Sequence, residues 1–240
     1  MRIKKSDADV GILGYGEVGR AIAKFYKHPK IKDKRENNDL SGVKFLHICI
    51  PYSKDFVKIV KEEIYQSRPK LTIIHSTVPV GTTREIGGAI VHSPVRGIHP
   101  YLYKHIKTFL KYIGADYVGD GLLCRAHFNE LGIPCIVIGD SRTTELAKLL
   151  DTTYYGLCIA WHGEAEKMCR SLGLDFDNVM TLYNTTYNEG YLKVGKKNVI
   201  RPVLIPPIDN KIGGHCVIQN AELLKKDFNS LAIDLVLKYK

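Results

Sequence analysis

The chain has 240 residues, of which 45% are hydrophobic and 25% charged, so it can form one large domain or two modest ones. Its 35 Lys and Arg against 25 Asp and Glu give a formal net charge of +10, which favours anionic ligands. The basic residues are scattered, without an aromatic-interleaved stripe or zinc-finger spacing, so nucleic acid is not expected as a partner. No stretch approaches the roughly 18 apolar residues that a membrane span requires.

The cysteines and the first residues indicate the compartment. The six cysteines form no C-x-x-C pair and lie mostly in apolar surroundings, as free thiols in a reducing compartment do. Residues 1–10 contain no apolar run, so no signal peptide is expected and the protein is predicted to be cytoplasmic. The spacing of His92, His99 and His105 matches no common metal site, so no metal is expected.

In the first half, short apolar runs alternate with helical patterns, which predicts an α/β fold with a doubly wound, mostly parallel sheet. The predicted strands are residues 9–14, 30–33, 44–50, 71–76, 89–93 and 134–139. Residues 54–67 and 121–132 are predicted as covering helices, and Gly132 as the glycine that ends the second of them.

The first strand runs into a glycine-rich loop with the spacing G-x-G-x-x-G at Gly14, Gly16 and Gly19. The first glycine permits a tight turn, the second lets a pyrophosphate approach the backbone, and the third lets helix and strand pack closely. Amides at the start of the following helix then face the phosphates. The pattern predicts a Rossmann-type dinucleotide site, and a glycine-rich turn without a ligand is the alternative.

Asp33 stands 19 positions after Gly14, at the end of the second predicted strand. A carboxylate there accepts hydrogen bonds from the ribose hydroxyls and repels a 2′-phosphate, which predicts NAD as the cofactor. The neighbouring cations Lys34 and Arg35 can bind that phosphate, so NADP stays open. A solvated turn residue is the other interpretation of Asp33.

After residue 140 the pattern becomes helical. Residues 141–173 contain no proline and predict one long helix, followed by a second helix at 175–192, a loop at 195–214 and helices from 216 onward. Apolar residues cover most faces between Leu146 and Trp161, which predicts burial against a second subunit in a homodimer. The predicted domains are a dinucleotide-binding domain at 1–140 and a helical domain at 141–240.

Several segments, in this order along the chain, together resemble the UDP-glucose/GDP-mannose dehydrogenase family. They are the glycine loop, HICIPYS at 47–53, HSTVPVGTT at 75–83, HSPVRG at 92–97, ELAKLLDTTY at 145–154 and GGHC at 213–216. The resemblance covers nearly the whole chain, and the family's C-terminal nucleotide-sugar domain has no counterpart in it. We therefore expect a different, smaller anionic substrate than a complete UDP-sugar.

The resemblance implies an NAD(P)-dependent dehydrogenase acting on CH–OH donors, which oxidises in two stages. Cys216 aligns with the nucleophile that adds to the aldehyde, Lys148 with the lysine that stabilises oxyanion charge, and Thr77 with the threonine that holds a water. A helix start and the adjacent His215 would both favour the thiolate of Cys216. The plainer alternatives are an inert cysteine, a solvated lysine and a strand-end threonine. The predicted cofactor-binding residues are Gly14, Tyr15, Gly16, Glu17, Val18, Gly19, Asp33, Ile50, Pro51, Ser76 and Thr77.

The chain departs from the family's pattern at five positions, and the carboxylates lost at two of them, Val95 and Asn220, are those that would activate water and move protons. The positions that differ are Val95, Thr152, Gly163, Ile218 and Asn220. An amide such as Asn220 cannot act as a general base, so the hydrolytic step is the one affected. Hydride transfer needs only cofactor, positioning and one electrostatic stabiliser.

Arg96, His99 and Asn220 are the predicted substrate residues, with Tyr101 and Lys104 near them in the segment 92–107. Arg96 can hold a carboxylate or phosphate through two parallel hydrogen bonds, or be an ordinary surface cation. The predicted function is NAD-dependent oxidation of an alcohol on an anionic, sugar-like substrate, with Cys216 and Lys148 closing the site over the nicotinamide. The alternatives are a single-step β-hydroxyacid-type dehydrogenase that uses Lys148, and a degenerate dinucleotide-binding protein without turnover.

Overall fold

The structure is a computed structural model and describes residues 9–214 and 216–240. It divides into two compact units, of which the first ends at Lys148 and the second is Leu149–Lys240. Within the described part of the chain, no helix is long and apolar enough to cross a membrane.

The first unit is built on a seven-stranded sheet. Its strands are β1 Val10–Leu13, β2 Lys30–Lys32, β3 Phe45–Ile48, β4 Leu71–Ile74, β5 Ile90–His92, β6 Lys111–Ala115 and β7 Cys135–Val137. They lie in the order β2-β1-β3-β4-β5-β6-β7, and every described pair is parallel except the antiparallel β5 and β6. The predicted doubly wound α/β fold is confirmed, and all six predicted strands are present. The strand β6 was not predicted.

Five helices belong to the first unit alone. They are α1 Glu17–Ala23, α2 Phe56–Ser67, α3 Thr82–Ile86, α4 Leu102–Thr108 and α5 Val118–Glu130. The predicted helix at 54–67 is confirmed by α2, which buries Phe56 and Val60. The helix predicted at 121–132 begins earlier, at Val118, and Gly132 follows it at φ +69, as a terminating glycine requires. The short helices α3 and α4 were not predicted.

Strands β1, β3 and β4 are buried along their whole length, which is the pattern of parallel strands covered on both faces. Their side chains alternate between two apolar clusters. On β3, Phe45 joins one cluster, while Leu46 and Ile48 join the other. These two layers hold the carboxyl ends of the strands at one edge, where the candidate site lies.

A chain of hydrogen-bonded polar side chains crosses the core of the first unit. The carbonyl of Ser93 accepts from His75 Nδ1 at 3.0 Å, so His75 Nε2 is unprotonated and accepts from His47 Nδ1 at 2.8 Å. The Tyr26 hydroxyl then donates to His47 Nε2 at 2.9 Å and accepts from His127 Nε2 at 2.7 Å. Burial lowers the pKa of His47 and His75 well below the usual range and that of His127 to about 4, so these three histidines are neutral.

Lys111, on β6, lies at one end of this chain. Its ammonium donates to the carbonyls of Ser93 at 2.7 Å and Pro94 at 3.1 Å, and it lies 5.5 Å from the ring centroid of Phe128. Burial lowers the pKa of Lys111 to about 7, because both neighbours are neutral carbonyls rather than carboxylates.

The second unit is helical throughout its described residues. The long helix α6, Ser141–Ser171, begins in the first unit and confirms the predicted long helix at 141–173. A π-helical segment, Asp177–Leu182, leads into α7, Tyr183–Lys193, in the region of the second predicted helix. Two 3₁₀ turns, Lys197–Val199 and Ile208–Asn210, precede α8 Cys216–Asp227 and α9 Leu231–Leu237.

Glycines on α6 allow the last helices to pack closely. A Cβ at Gly163 would lie 2.6 Å from the ring of Tyr239, which is buried and donates its hydroxyl to Glu164 at 2.6 Å. Glycine at position 163, where the family has another residue, therefore makes room for the ring of Tyr239 in this chain. Burial of the helix between Leu146 and Trp161 is incomplete, because Tyr154, Tyr155 and Trp161 are 61%, 52% and 50% exposed.

Replacing Gly163 by alanine should lower the free energy of unfolding by about 1–3 kcal/mol, because the added methyl group overlaps the ring of Tyr239. Urea denaturation measures this. Gly190→Ala is the control, since its Cβ meets no described atom within 4 Å and alanine stabilises an open helix position by up to about 1 kcal/mol. Equal stability changes in the two variants would contradict the close packing.

Candidate active site

The glycine loop joins β1 to α1 and has the geometry that its spacing predicts. Gly14 adopts φ +95, and a Cβ there would lie 2.8 Å from the backbone nitrogen of Ile50. A Cβ on Gly19 would overlap the carbonyl oxygen of Gly14, so this glycine lets α1 pack against the strand end. A Cβ on Gly16 meets none of the described atoms within 4 Å, and Gly16 is exposed. The loop therefore leaves its middle glycine open to an approaching group.

Asp33 holds this loop from the end of β2. Its Oδ2 accepts the amide of Tyr15 at 2.7 Å and its Oδ1 accepts the amide of Lys34 at 2.7 Å. The hydrogen bond from Tyr15 lowers the pKa of Asp33, so the carboxylate is charged at neutral pH. Each oxygen keeps a further lone pair for another donor. Asp33 is thus a fixed, half-buried anion beside the glycine loop.

Two residues predicted for different roles contact each other beside the loop. Glu17, the first residue of α1, forms an ion pair with His99 through Oε2 and Nδ1 when the imidazole is protonated. Both side chains are about half exposed, while the neighbouring Val18 packs against the core. The structure therefore brings the predicted substrate residue His99 to the predicted cofactor loop.

The strand ends that follow β3 and β4 are joined by Ser76. Its hydroxyl donates to the carbonyl of Ile50 at 2.6 Å, which links the two segments that carry predicted cofactor residues. Thr77 follows and is half-buried, and Pro51 is exposed. Ile50, Pro51, Ser76 and Thr77 therefore lie together at the carboxyl edge of the sheet, where α/β proteins bind their ligands.

His92, at the end of β5, connects this edge to the start of α6. Its Nε2 donates to the carbonyl of Ser76 at 3.1 Å, and its Nδ1 accepts from the Thr144 hydroxyl at 2.8 Å. Burial lowers the pKa of His92 to about 3, so the ring is neutral. Sequence reasoning considered His92 only as a metal ligand and missed this structural contact.

Glu145 makes a second connection between α6 and the sheet edge. Its Oε2 accepts the amide of Gly81 at 2.6 Å, and its Oε1 accepts the amide and hydroxyl of Thr83 at 2.8 and 2.6 Å. The side chain is fully buried, and desolvation raises the pKa of this carboxyl. Lys148 follows one helical turn later and is half-buried at the end of the first unit. The sequence analysis did not single out Glu145, and its position three residues before the predicted catalytic residue Lys148 was the signal that could have identified it.

Arg96, the remaining predicted substrate residue of the first unit, lies near β6. The Arg96 guanidinium donates to the carbonyl of Leu110 at 3.4 Å and lies 5.2 Å from the ring centroid of Tyr112. Tyr101 and Lys104 are exposed. Arg96 is therefore partly engaged by its own unit, which limits its freedom to hold a ligand.

In the second unit, Cys216 is the exposed first residue of α8. The neighbouring His215 lies outside the described residues, so its predicted effect on the thiol stays a prediction. Asn220, one helical turn later, is buried, and its Nδ2 has no hydrogen-bond acceptor among the described residues. Across residues 9–214 and 216–240, no group of three or more His, Cys, Asp or Glu is arranged to hold a metal ion.

No family model matches the chain. A curated relative, the UDP-N-acetyl-D-mannosamine dehydrogenase of Pyrococcus horikoshii, is 23% identical over 260 aligned positions, covering 96% of this chain and 58% of the relative. The chain spans between 33% and 58% of the length of the curated relatives it matches, all of which carry that enzyme name.

Solved structures share the fold. The UDP-D-ManNAc dehydrogenase structure from Pyrococcus horikoshii has a TM-score of 0.71 and 20% identity, covering 93% of this chain and 55% of that chain. The 3-hydroxyisobutyrate dehydrogenase of Mycobacterium tuberculosis has a TM-score of 0.70 and 15% identity, covering 97% and 92%. The chain therefore shares its fold with these two solved structures over more than nine tenths of its length.

Proposed function

We infer that this chain, a UDP-glucose/GDP-mannose dehydrogenase-like protein, oxidises an alcohol on a nucleotide-sugar or related anionic sugar substrate with a nicotinamide dinucleotide. The observation that carries this proposal is the open space at Gly16, beside the charged carboxylate of Asp33. Relatives named as nucleotide-sugar dehydrogenases support the same reaction class.

The residues of the first unit fit such a cofactor. The backbone of the glycine loop would take the pyrophosphate over Gly16, and Asp33 would accept the ribose hydroxyls with its remaining lone pairs. A charged Asp33 disfavours a 2′-phosphate, so we propose NAD over NADP. When bound, the nicotinamide accepts a hydride from the substrate carbon.

Gly16→Val should weaken NADH binding by about tenfold or more, because the side chain fills the space that the pyrophosphate needs. The fold should be retained, since the added Cβ meets no described atom within 4 Å. Fluorescence titration and thermal melting measure the two effects. Gly119→Val, at an open position on α5, is the matched control and should bind NADH normally. Unchanged NADH affinity in Gly16→Val would contradict the proposed site.

The proposed chemistry assigns a role to each reacting side chain. The Lys148 ammonium would stabilise the alkoxide that forms when the substrate hydroxyl gives its proton to water, and the alkoxide becomes a carbonyl as the hydride leaves the carbon. The Cys216 thiolate adds to the resulting aldehyde, a second hydride leaves the thiohemiacetal, and a water held by Thr77 hydrolyses the thioester. The cysteine mechanism applies only if oxidation proceeds beyond the aldehyde.

The number of hydrides transferred tests the overall reaction. With NAD and UDP-N-acetyl-D-mannosamine, absorbance of NADH should rise, and two NADH per substrate indicate oxidation to the acid. One NADH per substrate favours the single-step alternative that uses Lys148. This alternative is supported by Asn220, a buried amide that cannot act as the general base that the hydrolytic step needs. NADH binding without turnover on any alcohol favours a non-catalytic dinucleotide-binding protein.

We also propose that a second copy of the chain covers the exposed aromatic side chains of α6. Tyr154, Tyr155 and Trp161 present three large rings on one helix, and such patches usually mark interfaces. The 240-residue chain should therefore have the mass of a dimer in light scattering at micromolar concentration, and Trp161→Asp should reduce that mass. A monomeric wild type would overturn the proposal.

A further inference from the structure

Glu145 joins the two segments of the first unit that carry Thr77 and Lys148. It belongs to α6, three residues before Lys148, and its carboxylate accepts three hydrogen bonds from Gly81 and Thr83. Gly81 and Thr83 lie 64 and 62 residues before Glu145 in the chain, so these hydrogen bonds link distant segments.

The contact replaces a cap that α3 lacks. Gly81 is the N-cap residue of α3, with φ +94, and as a glycine it has no side chain to accept the first amides of the helix. Helix starts normally use a local Ser, Thr, Asp or Asn for this purpose. Here the acceptor is a carboxyl group from α6, and its oxygens lie at the end of the helix where the helix dipole favours an anion. The cap of α3 therefore also fixes the position of α6.

Thr77 lies between two fixed points of the same segment. On one side, Ser76 donates to the carbonyl of Ile50 and its own carbonyl accepts from His92. On the other side, Gly81 is held by Glu145. Between them the chain turns tightly, and Thr82 donates its hydroxyl to Pro79 at 2.8 Å. Loosening either fixed point should release Thr77.

The chemistry of Glu145 argues against a role in capping alone. A fully buried carboxylate has a large desolvation cost, and a local serine would cap α3 without it. The same carboxylate also fixes the start of the helix that presents Lys148.

We propose that Glu145 is a positioning residue, which holds the Thr77 segment in a fixed place relative to Lys148 and so aligns the water held by Thr77 with the substrate oxygen stabilised by Lys148. This inference rests on the function proposed above, because Thr77 and Lys148 have no other assigned task. Errors of about 1 Å in such alignment reduce turnover by about a hundredfold.

The test uses Glu145→Gln in the 240-residue chain. Its amide nitrogen cannot accept, so at least one of the Gly81 and Thr83 amides loses its partner. Hydrogen exchange at the amides of Thr77, Gly81 and Thr83 should become at least tenfold faster. With UDP-N-acetyl-D-mannosamine, kcat should fall by about tenfold to a hundredfold, and the Kd of NADH should change much less, because the proposed pyrophosphate and ribose contacts lie at the glycine loop and Asp33.

Two further variants separate positioning from folding. Thr83→Val removes only the hydroxyl donor and should give a smaller change in the same direction, which keeps the test valid if Glu145→Gln fails to fold. Glu85→Gln changes an exposed carboxylate on the same short helix and should leave exchange and kcat unchanged.

The outcomes are distinct. Faster exchange at Gly81 and Thr83 with unchanged kcat would mean that Glu145 only caps α3, and would overturn the inference. A wild type that shows no turnover on UDP-N-acetyl-D-mannosamine or on smaller anionic sugar alcohols would overturn the proposed function, and exchange at Thr77 would then decide the inference. Faster exchange at Thr77 in Glu145→Gln would support the positioning role of Glu145, and unchanged exchange would overturn it.

Discussion

Acidification from pH 7 to pH 5 is expected to destabilise the first unit by about 5 kcal/mol for each pH unit below 6. Four buried histidines with lowered pKa values cause this loss. They are His47, His75, His92 and His127. Each contributes about 1.4 kcal/mol per pH unit, because the unfolded chain binds a proton that the native state excludes.

The direction follows from the lowered pKa values. Above pH 6.5 these histidines are neutral in both states, and as the pH falls below 6.5 only the unfolded state takes up protons. The loss continues down to about pH 4 for His127 and about pH 3 for His92, where the native state also begins to be protonated. Lys111 acts in the same direction at higher pH, because its pKa of about 7 makes stability rise between pH 7 and 10.5.

Urea denaturation at half-unit steps from pH 7 to pH 5, followed by circular dichroism, measures the slope. His127→Phe should reduce it by about 1.4 kcal/mol per pH unit, since one proton-binding group is removed. Phenylalanine can keep the stacking on Phe45, whose ring centroid lies 3.7 Å from that of His127, and Tyr26 still donates to His47. The exposed His28→Gln is the control and should leave the slope unchanged. A flat profile from pH 7 to pH 5 would contradict a neutral histidine core.

Cys216→Ser should lower steady-state reduction of NAD by about three orders of magnitude if the thiol carries the second oxidation. The first hydride does not need the thiol, so a burst of one NADH per chain should remain. Rapid mixing with UDP-N-acetyl-D-mannosamine, followed at the NADH absorbance band, separates burst from turnover.

Cys158→Ser, which changes a half-buried thiol of the same helical unit, is the matched control for this experiment and should behave as wild type. Nearly intact turnover in Cys216→Ser would make Cys216 a bystander, and the single-step mechanism through Lys148 would then account for the activity.

The sequence predicted the parts of the fold that depend on local pattern. Gly14 and Gly19 occupy positions that only glycine tolerates, and the buried strands show as short apolar runs. The strand β6 was missed because it begins with a lysine, and the hydrogen bonds to Ser93 and Pro94 that allow Lys111 to be buried come from a distant segment.

The candidate site was predictable only in part, because some of its contacts join residues that are far apart in the sequence. Glu145 meets Thr83 across 62 residues, and His92 meets Thr144 across 52 residues. No local pattern encodes such contacts, since they arise when α6 packs against the sheet edge. The family resemblance predicts roles for Lys148 and Thr77, but it gives no account of what holds these two residues in place.

Calorimetric titration of the 240-residue chain with NADH tests the central claim most directly, that the loop around Gly16 and Asp33 holds a nicotinamide dinucleotide. We expect saturable binding of one NADH per chain, weaker binding of NADPH, and at least tenfold weaker NADH binding by Gly16→Val. Folded wild-type protein that gives no heat of binding with NADH, NAD, NADPH or NADP at millimolar concentration would contradict it.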